Sequence, residues 1–574
     1  MKNLDEIIEQ LVRANVSDRE ELEAIKREYS EENDTDLPTN VELLKAYHNL
    51  VQKKRIQPNK KIESLLKTRP MRSLSGIVNI TALTKPFGCP GHCIFCPNEA
   101  GFPKSYLKGE PAADRAFDLK FNPYLQVQKR LEMLNDQGHP IDKMELRIVG
   151  GSWSCYPKSY QNWFVKECYR AADDFQRKRK YSRRLSLEKL QKINETARVR
   201  IVGMSIETRP DLITPNELRH LRRLGVTMVE IGVQTIFDEI HQKNDTNLSA
   251  AIIAQATKLL KDAGFKVLYH IMPNLYGSDL AKDREMARII FNDSRFKPDW
   301  LKIYPTVVLE NTPLYRLYQE GKYQPYTDEE LINLLIAIKT ELPYWVRVAR
   351  IIRDIPAQKV VGGTQLSNLR EIIQKRMKER GLVCHCIRCR EVKENYNPKE
   401  KIHLFREDYE ASDGREVFLS FENKERTKLF SLLRLRQPSF QEEPIFKSLS
   451  QAALIREIKT FGEVVPLSED KIAPQHKGLG KKLMREAERI AIEEFGLKKI
   501  AVIAGVGVRE YFRHLGYKLE ETYMVKNANL KSQKSKKNEN QKSKLPLMAG
   551  KRGKLKIKID NHHLSIGRQT KNYR

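Results

Sequence analysis

At 574 residues the chain is too long for one hydrophobic core, and about three or four domains are expected. Its 103 lysines and arginines against 74 acidic residues leave a net charge of +29, spread along the chain, which points to a polyanion: nucleic acid or an acidic membrane surface. No apolar run approaches the ~20 residues of a membrane span, the acidic start "MKNLDEIIEQLVR" is no secretory signal, and eight cysteines, six of them in two clusters, indicate metal in a reducing, cytoplasmic setting rather than a disulfide scaffold.

Residues 1–75 read as helices with basic connections, because "DEIIEQLVRA" and "NVELLKAYHNLVQKKRI" carry apolar residues at helical spacing. From 76 to 345 short runs rich in Val and Ile alternate with helical patterns. The runs are "GIVNITAL", "MELRIVGG", "RVRIVGMSIE", "MVEIGVQT", "FKVLYHIMP" and "WLKIYPTVV". This order predicts an α/β unit, a partial or complete parallel β/α barrel, with a doubly wound sheet as the alternative; either places chemistry at the C-terminal strand ends. Residues 346–400 form a basic connector holding "CHCIRC", and 401–527 read as a separate α+β domain. The end, 528–574, includes the cationic low-complexity "KSQKSKKNENQKSK", for which disorder is expected.

The first cysteine cluster, "GCPGHCIFCP", holds Cys89, Cys93 and Cys96 at spacing C-x3-C-x2-C. Three thiolates hold three irons of a 4Fe–4S cube and leave the fourth open to a small molecule. S-adenosylmethionine suits that place through its amino and carboxylate groups, and its one-electron cleavage gives a radical. A zinc site completed by His92 is the rival. The cysteines follow the first strand, at the face where a barrel's active site lies. Later strands end in polar residues at the same face: Gly150 and Gly151 in "VGGS", Glu207 and Arg209 in "SIETRPD", Gln234 in "IGVQT", His270 in "YHIMPN", and Lys302 and Tyr304 in "LKIYPT". Five strands doing this together favour one shared site.

The connector cysteines Cys384, Cys386 and Cys389 have spacing C-x-C-x2-C; structural zinc is expected, with His385 or His403 as fourth ligand and a second iron–sulfur cluster as the rival. Further on, "QHKGLGKKLM" fits Q-x-x-G-x-G at a helix start, where backbone N–H groups and the helix dipole favour phosphate. A strand precedes it, and "KIAVIAGV" and "YFRHLGY" follow. That order resembles the acetyl-coenzyme A site of GNAT acetyltransferases. The resemblance puts Glu457, Ile458, Lys459 and Thr460 along the pantetheine arm, and Gln475, Lys477, Gly478, Leu479, Gly480 and Lys481 around the pyrophosphate.

Together the two halves resemble the catalytic subunit of Elongator and its single-chain prokaryotic relatives, from about Lys67 to Lys526. The agreement is densest in "YLQVQKRLEMLNDQGHPIDKMELRIVGG", "IETRPD", "DAGFKVLYHIMP", "LKIYPT", "LLRLR" and "KIAVIAGVGVREYFRHLGY". The resemblance implies a tRNA-modifying enzyme that places a carboxymethyl group on C5 of the wobble uridine. Acetyl-coenzyme A supplies the carbons, and S-adenosylmethionine with a 4Fe–4S cluster at Cys89, Cys93 and Cys96 supplies the radical. It also implies contact of Lys143, Tyr511 and Phe512 with acetyl-coenzyme A, a catalytic part for Lys302, Tyr304 and Tyr511, tRNA binding by the basic N-terminal segment, and a homodimer or Elongator-like accessory subunits as further partners. Phe512 stands where relatives often carry a second tyrosine. The rival function is a protein lysine acetyltransferase whose barrel only regulates.

Overall fold

The structure is a computed structural model that describes residues 4–68, 73, 76–393, 397, 399–440, 443–462 and 478–527. The C-terminal segment expected from 528 onward lies outside them, as do Gln475 and Lys477. Four helices open the chain: α1 (Leu4–Arg13), α2 (Arg19–Glu32), α3 (Asn40–Gln52) and α4 (Lys60–Leu66). Asp18 starts α2 by accepting from the backbone N–H of Glu20 and Glu21, and Thr39 with Glu42 forms a reciprocal cap on α3. Their apolar faces bury Ile7, Leu11, Leu22, Leu43, Tyr47 and Ile62 in a core of their own. This unit rests on the helix Pro123–Asp136 through the Lys45–Asp136 ion pair at 2.8 Å.

The central unit is a parallel sheet of seven strands: β1 (Val78–Leu83), β2 (Lys143–Val149), β3 (Arg200–Thr208), β4 (Met228–Gln234), β5 (Lys266–Ile271), β6 (Trp300–Ile303) and β8 (Arg347–Ile351), paired in that order. Helices cross between successive strands. Among the described residues β1 and β8 are both edges, so the barrel is partial and open. The seventh strand, "RVARI", escapes a search for apolar runs because Arg347 and Arg350 interrupt it. A short antiparallel pair, β7 (Val308–Leu309) with β9 (Val360–Gly362), lies beyond the end of β6. Strand alternation sorts the side chains: in β2, Met144, Leu146 and Ile148 pack under the helices, while Lys143, Glu145, Arg147 and Val149 share the face toward the lumen.

The third unit is a second seven-stranded sheet, β10 (His403–Ala411), β11 (Gly414–Glu422), β12 (Leu429–Gln437), β13 (Ala452–Thr460), β14 (Lys499–Val502), β15 (Lys518–Glu520) and β16 (Tyr523–Asn527), with β16 between β14 and β15. The helix Leu479–Glu493 packs on it. One apolar core runs from the barrel into this unit. Gly505 and Gly507 lie so close to the backbone of β3 at Arg200–Gly203 that neither tolerates a Cβ. Beside them sits a buried ionic joint. Asp299 of the barrel accepts from Arg456 at 2.8 and 2.5 Å and from the Val267 backbone N–H at 2.9 Å, with Arg434 at 3.5 Å and Lys261 at 3.8 Å. Among the described residues no helix is long and apolar enough to cross a membrane.

Candidate active site

The C-terminal ends of the barrel strands enclose a cavity of about 900 Å³, lined by Cys89, Cys93, Cys96, Gly151, Glu207, Arg209, Gln234, His270, Lys302 and Tyr304. The expected strand-end residues thus meet in one space. Gly150 stands just behind it, its carbonyl accepting from Thr84 Oγ1 at 2.9 Å; its φ of 116° and the adjacent Thr84 side chain leave no room for a Cβ.

The cysteine loop folds over this mouth. Its Ile94 N–H donates to the Asn244 carbonyl, and Cys89 Sγ lies 3.6 Å from Ser152 Oγ. Gly91 is a glycine because Arg209 crosses where its Cβ would be. That guanidinium is fixed by Asp211 at 2.9 and 3.1 Å and by the Thr246 carbonyl at 2.8 Å, and it stands beside Cys93. Burial pushes the Cys93 thiol up, with Arg209 opposing, and pushes Cys96 up to about 12. A bound cationic centre would reverse that preference. The three sulfurs are not gathered within 4.8 Å of one another. A single zinc with bonds of about 2.3 Å needs sulfurs about 3.8 Å apart.

Deeper in the lumen Lys302 bridges two carboxylates, Glu207 at 3.1 Å and Glu230 in closer contact. Tyr106 donates to Glu207 at 2.9 Å, Ser205 donates to Glu230 at 3.1 Å, and His270 Nε2 pairs with Glu230 at 3.1 Å. Glu207, Glu230 and His270 are close enough to hold a metal ion, but the Lys302 ammonium supplies the cation there. Burial works against the Glu230 carboxylate, yet Lys302 and His270 outweigh it and hold its carboxyl well below the usual range. Burial lowers Lys302, but Glu230, Tyr304 and Glu207 raise it well above its ordinary value, so it stays charged. Tyr304 places its ring edge-on to His270 at 5.4 Å. Below this layer Arg147 donates to Glu145 at 3.0 Å. Burial resists ionisation of Glu145, but Arg147, Lys266 and Lys459 bring it down to about 2. Charges therefore continue through the lumen to Lys459 of the third unit.

Sequence reading missed Glu230 and Arg147, although a charged residue inside "MVEIGVQ" or "KMELRIV" is a signal. It also missed Tyr106 and Arg353, which come from loops. Arg353 is held by Ser105 and Glu110, each at 2.8 Å, and lines the same cavity.

In the third unit β13 and β14 pair only from Ala452↔Lys499 to Ile455↔Val502, and β13 continues past the parting. Beyond it Ile458, Thr460, Gly480 and Tyr511 converge. A Cβ on Gly480 would lie 3.3 Å from the Tyr511 hydroxyl and 3.8 Å from both Ile458 Cδ1 and Thr460 Oγ1. Gly478, at φ 64°, caps the helix that begins at Leu479, and Lys481 is exposed on its first turn. Burial pushes the Tyr511 hydroxyl up, so it remains a donor. Glu457 is turned to the joint instead, accepting from Arg434 at 2.8 Å with Lys266 at 3.9 Å. Lys459 is lowered by burial and by Arg347. Phe512 is buried against Tyr511 and Tyr517, where it packs rather than lines a cleft. Lys143 opens β2 and pairs in register with Arg200, which Gly507 touches. It therefore lies at the end of the barrel on which the third unit docks, opposite the cysteines.

The connector sulfurs of Cys384, Cys386 and Cys389 all lie within 4.8 Å of one another, the spacing of a mononuclear site. Neither expected histidine joins them: His385 stacks on Tyr344 at 4.6 Å, and His403 opens β10. The group facing the sulfurs is the buried Lys339 ammonium, 3.2 Å from Cys384 and 3.7 Å from Cys389. Hydrogen bonds from Cys384 and Cys389 pull the Cys386 thiol well below its usual range.

Comparison with known proteins agrees with this architecture. Residues 84–289 match the Radical SAM superfamily and 298–379 the Radical SAM C-terminal domain. A tRNA uridine(34) acetyltransferase of Methanocaldococcus infernus is 44% identical over 85% of this chain and 91% of its own. Human Elongator complex protein 3 is 37% identical over 80% and 86%. The solved structure of the archaeal Methanocaldococcus infernus Elp3 with an N-terminal deletion covers 79% of this chain and 99% of its own, at a TM-score of 0.68 and 41% identity. On fold, cysteine site and identity over most of its length, the chain belongs to the radical SAM family of the tRNA uridine(34) acetyltransferases and Elongator complex protein 3.

Proposed function

We propose that the chain is a tRNA-modifying transferase that places a carboxymethyl group on C5 of the wobble uridine, taking both carbons from acetyl-coenzyme A. The observation that carries the reading is the cavity in which the cysteine triad meets Glu207, Arg209, Gln234, His270, Lys302 and Tyr304, on a barrel whose other end holds an acetyltransferase-like unit. A 4Fe–4S cluster on Cys89, Cys93 and Cys96 with S-adenosylmethionine would supply the radical chemistry. Arg209 offsets charge beside Cys93, and Gly151, which lines the cavity, lets a ligand approach the backbone. Lys302 holds a proton at Nζ between two carboxylates, where it can orient or protonate a polar group of the substrate, with Tyr304 beside it. In the third unit the helix start after Gly478 would offer its first backbone N–H groups to pyrophosphate, and the Tyr511 hydroxyl would donate toward the thioester. The uridine must leave its stack to enter the cavity. The experiment is nucleoside mass spectrometry of tRNA after anaerobic incubation with reductant, S-adenosylmethionine and acetyl-coenzyme A. Carboxymethyluridine is expected, and unmodified tRNA would reject the reading.

In the same reading the connector cysteines hold structural zinc. Cys386→Ser should release the metal and lower unfolding stability by about 2–4 kcal/mol, read by metal analysis and denaturant titration. Wild-type metal content in that variant would contradict the assignment.

The basic segments, among them "RKRKYSRR" (Arg177–Arg184), are assigned to tRNA phosphates. If about six phosphates are neutralised, affinity falls about a thousandfold between ~50 and ~200 mM salt. Fluorescence anisotropy checks this, and a flat response would show that base contacts dominate.

A further inference from the structure

On the segment between the edge strand β1 and the cysteine loop begins a row of four aromatic rings. Phe87 stacks on Tyr156 at 4.8 Å and 29° and Tyr156 on Tyr160 at 5.0 Å and 22°, while Trp163 tilts against Tyr160 at 5.5 Å and 40°. Tyr156 is fixed: its hydroxyl meets Thr84 Oγ1 at 2.8 Å and donates to the Lys85 carbonyl at 2.6 Å. Tyr156 is buried and Tyr160 half-buried, whereas the terminal rings Phe87 and Trp163 are each 42% exposed. A pile built only for packing would bury its ends. The Lys85 ammonium lies 5.1 Å over the Tyr160 ring, and Lys104 lines the cavity on the side of Cys93 and Cys96. Phe87 is two residues from Cys89, so its ring is within about 7 Å of chain from the cysteine loop.

We infer that this pile is a base-stacking platform: the nucleotide next to the one that enters the cavity stacks on Phe87, with Lys85 at its phosphate. Rigid exposed aromatics flanked by cations suit unpaired RNA bases, because every base has a π face and every nucleotide a phosphate. The net charge of +29 favours RNA over a peptide as the occupant. The platform would hold the strand while its neighbour is turned out of the stack. This rests on the tRNA reading above.

The test uses the full chain with its cluster reconstituted and a synthetic anticodon stem–loop with uridine at the wobble position. The loop base beside that uridine is replaced by the fluorescent adenine analogue 2-aminopurine. Wild type should bind the stem–loop and quench the probe. Phe87→Ala should raise Kd by about five- to a hundredfold and abolish the quenching, and Phe87→Tyr should restore both. Phe87→Leu, which keeps apolar bulk without a ring, should behave like Phe87→Ala. Iron content and thermal midpoint confirm that each variant is folded, as an exposed side chain predicts. Binding and quenching by Phe87→Ala equal to wild type would overturn the platform and leave the tRNA reading standing. Failure of wild type to bind the stem–loop would overturn both.

Discussion

An Asp299→Ala chain is expected to come apart at the joint between the barrel and the third unit, with a loss of about 3–5 kcal/mol. Asp299 is fully buried and receives Arg456 through two hydrogen bonds, with Arg434 and Lys261 within 4 Å. Removing it leaves Arg456 and Lys261 to share Glu416 while Arg434 keeps Glu457, and that excess of buried positive charge is the source of the cost. It also frees the Val267 backbone N–H on β5, which donates to the same carboxylate. Asp299→Asn keeps the shape and should cost less. Burial resists the Asp299 carboxylate, but Arg456, Lys261 and Arg434 hold its carboxyl far below the usual range. A carboxyl lowered on folding stabilises at every pH above its unfolded value and loses this only as pH falls through the folded one. The wild-type contribution should therefore be constant from neutral to mildly acid pH. Denaturant titration with limited proteolysis reads the result; a variant as stable as wild type would show that the joint is held by the shared apolar core alone.

Lys302→Met is expected to lower turnover by about two to four orders of magnitude, if Lys302 orients or protonates the substrate. It also strands Glu207 and Glu230 beside each other. Its stability effect has a pH signature. In wild type Glu230 is held low, chiefly by Lys302 against the cost of burial. Without the ammonium, burial wins and the carboxyl rises toward or above its unfolded value. A carboxyl raised on folding is stabilising only at low pH, so the deficit of the variant should grow as pH rises from about 5 to about 8. A deficit that stays flat over that range would show that Glu230 remains ionised, held by His270 and Arg147. Lys302→Arg keeps the charge but not the point geometry, and should recover stability before it recovers turnover.

Much of this site was legible because each residue sits at a strand end after a Val- and Ile-rich run, and the β/α order sends all such ends to one mouth. The cysteine spacing pointed to an iron–sulfur cluster open to S-adenosylmethionine and left zinc as its rival. The seventh strand was lost because "RVARI" breaks the apolar signal, and the two arginines that break it are used: Arg347 pairs with Glu391, and Arg350 lines the cavity. Arg434, Arg436 and Arg456 read as ordinary polar positions of β12 and β13, yet all are buried. Their partners, Asp299, Glu416 and Asp262, are 20 to 174 positions away along the chain, and no local pattern reports such pairings. The connector cysteines showed a metal-like spacing, but their neighbour Lys339 lies in a helix 45 residues earlier, where it reads as a solvated lysine. The placement of Lys143 had no explanation in sequence, because it needs the docking of Gly507 on β3 to bring the third unit to that end of the barrel.

The central claim is that the cysteine cavity and the acetyltransferase-like cleft serve one reaction on one base. The most direct measurement follows acetyl-coenzyme A labelled at both acetyl carbons through an anaerobic incubation with S-adenosylmethionine, reductant and tRNA, in wild type and in Cys93→Ser. The account predicts that both labelled carbons appear on the wobble uridine in wild type and that none appear there in Cys93→Ser. Label on protein lysines, or released as acetate with the nucleoside unlabelled, would contradict it.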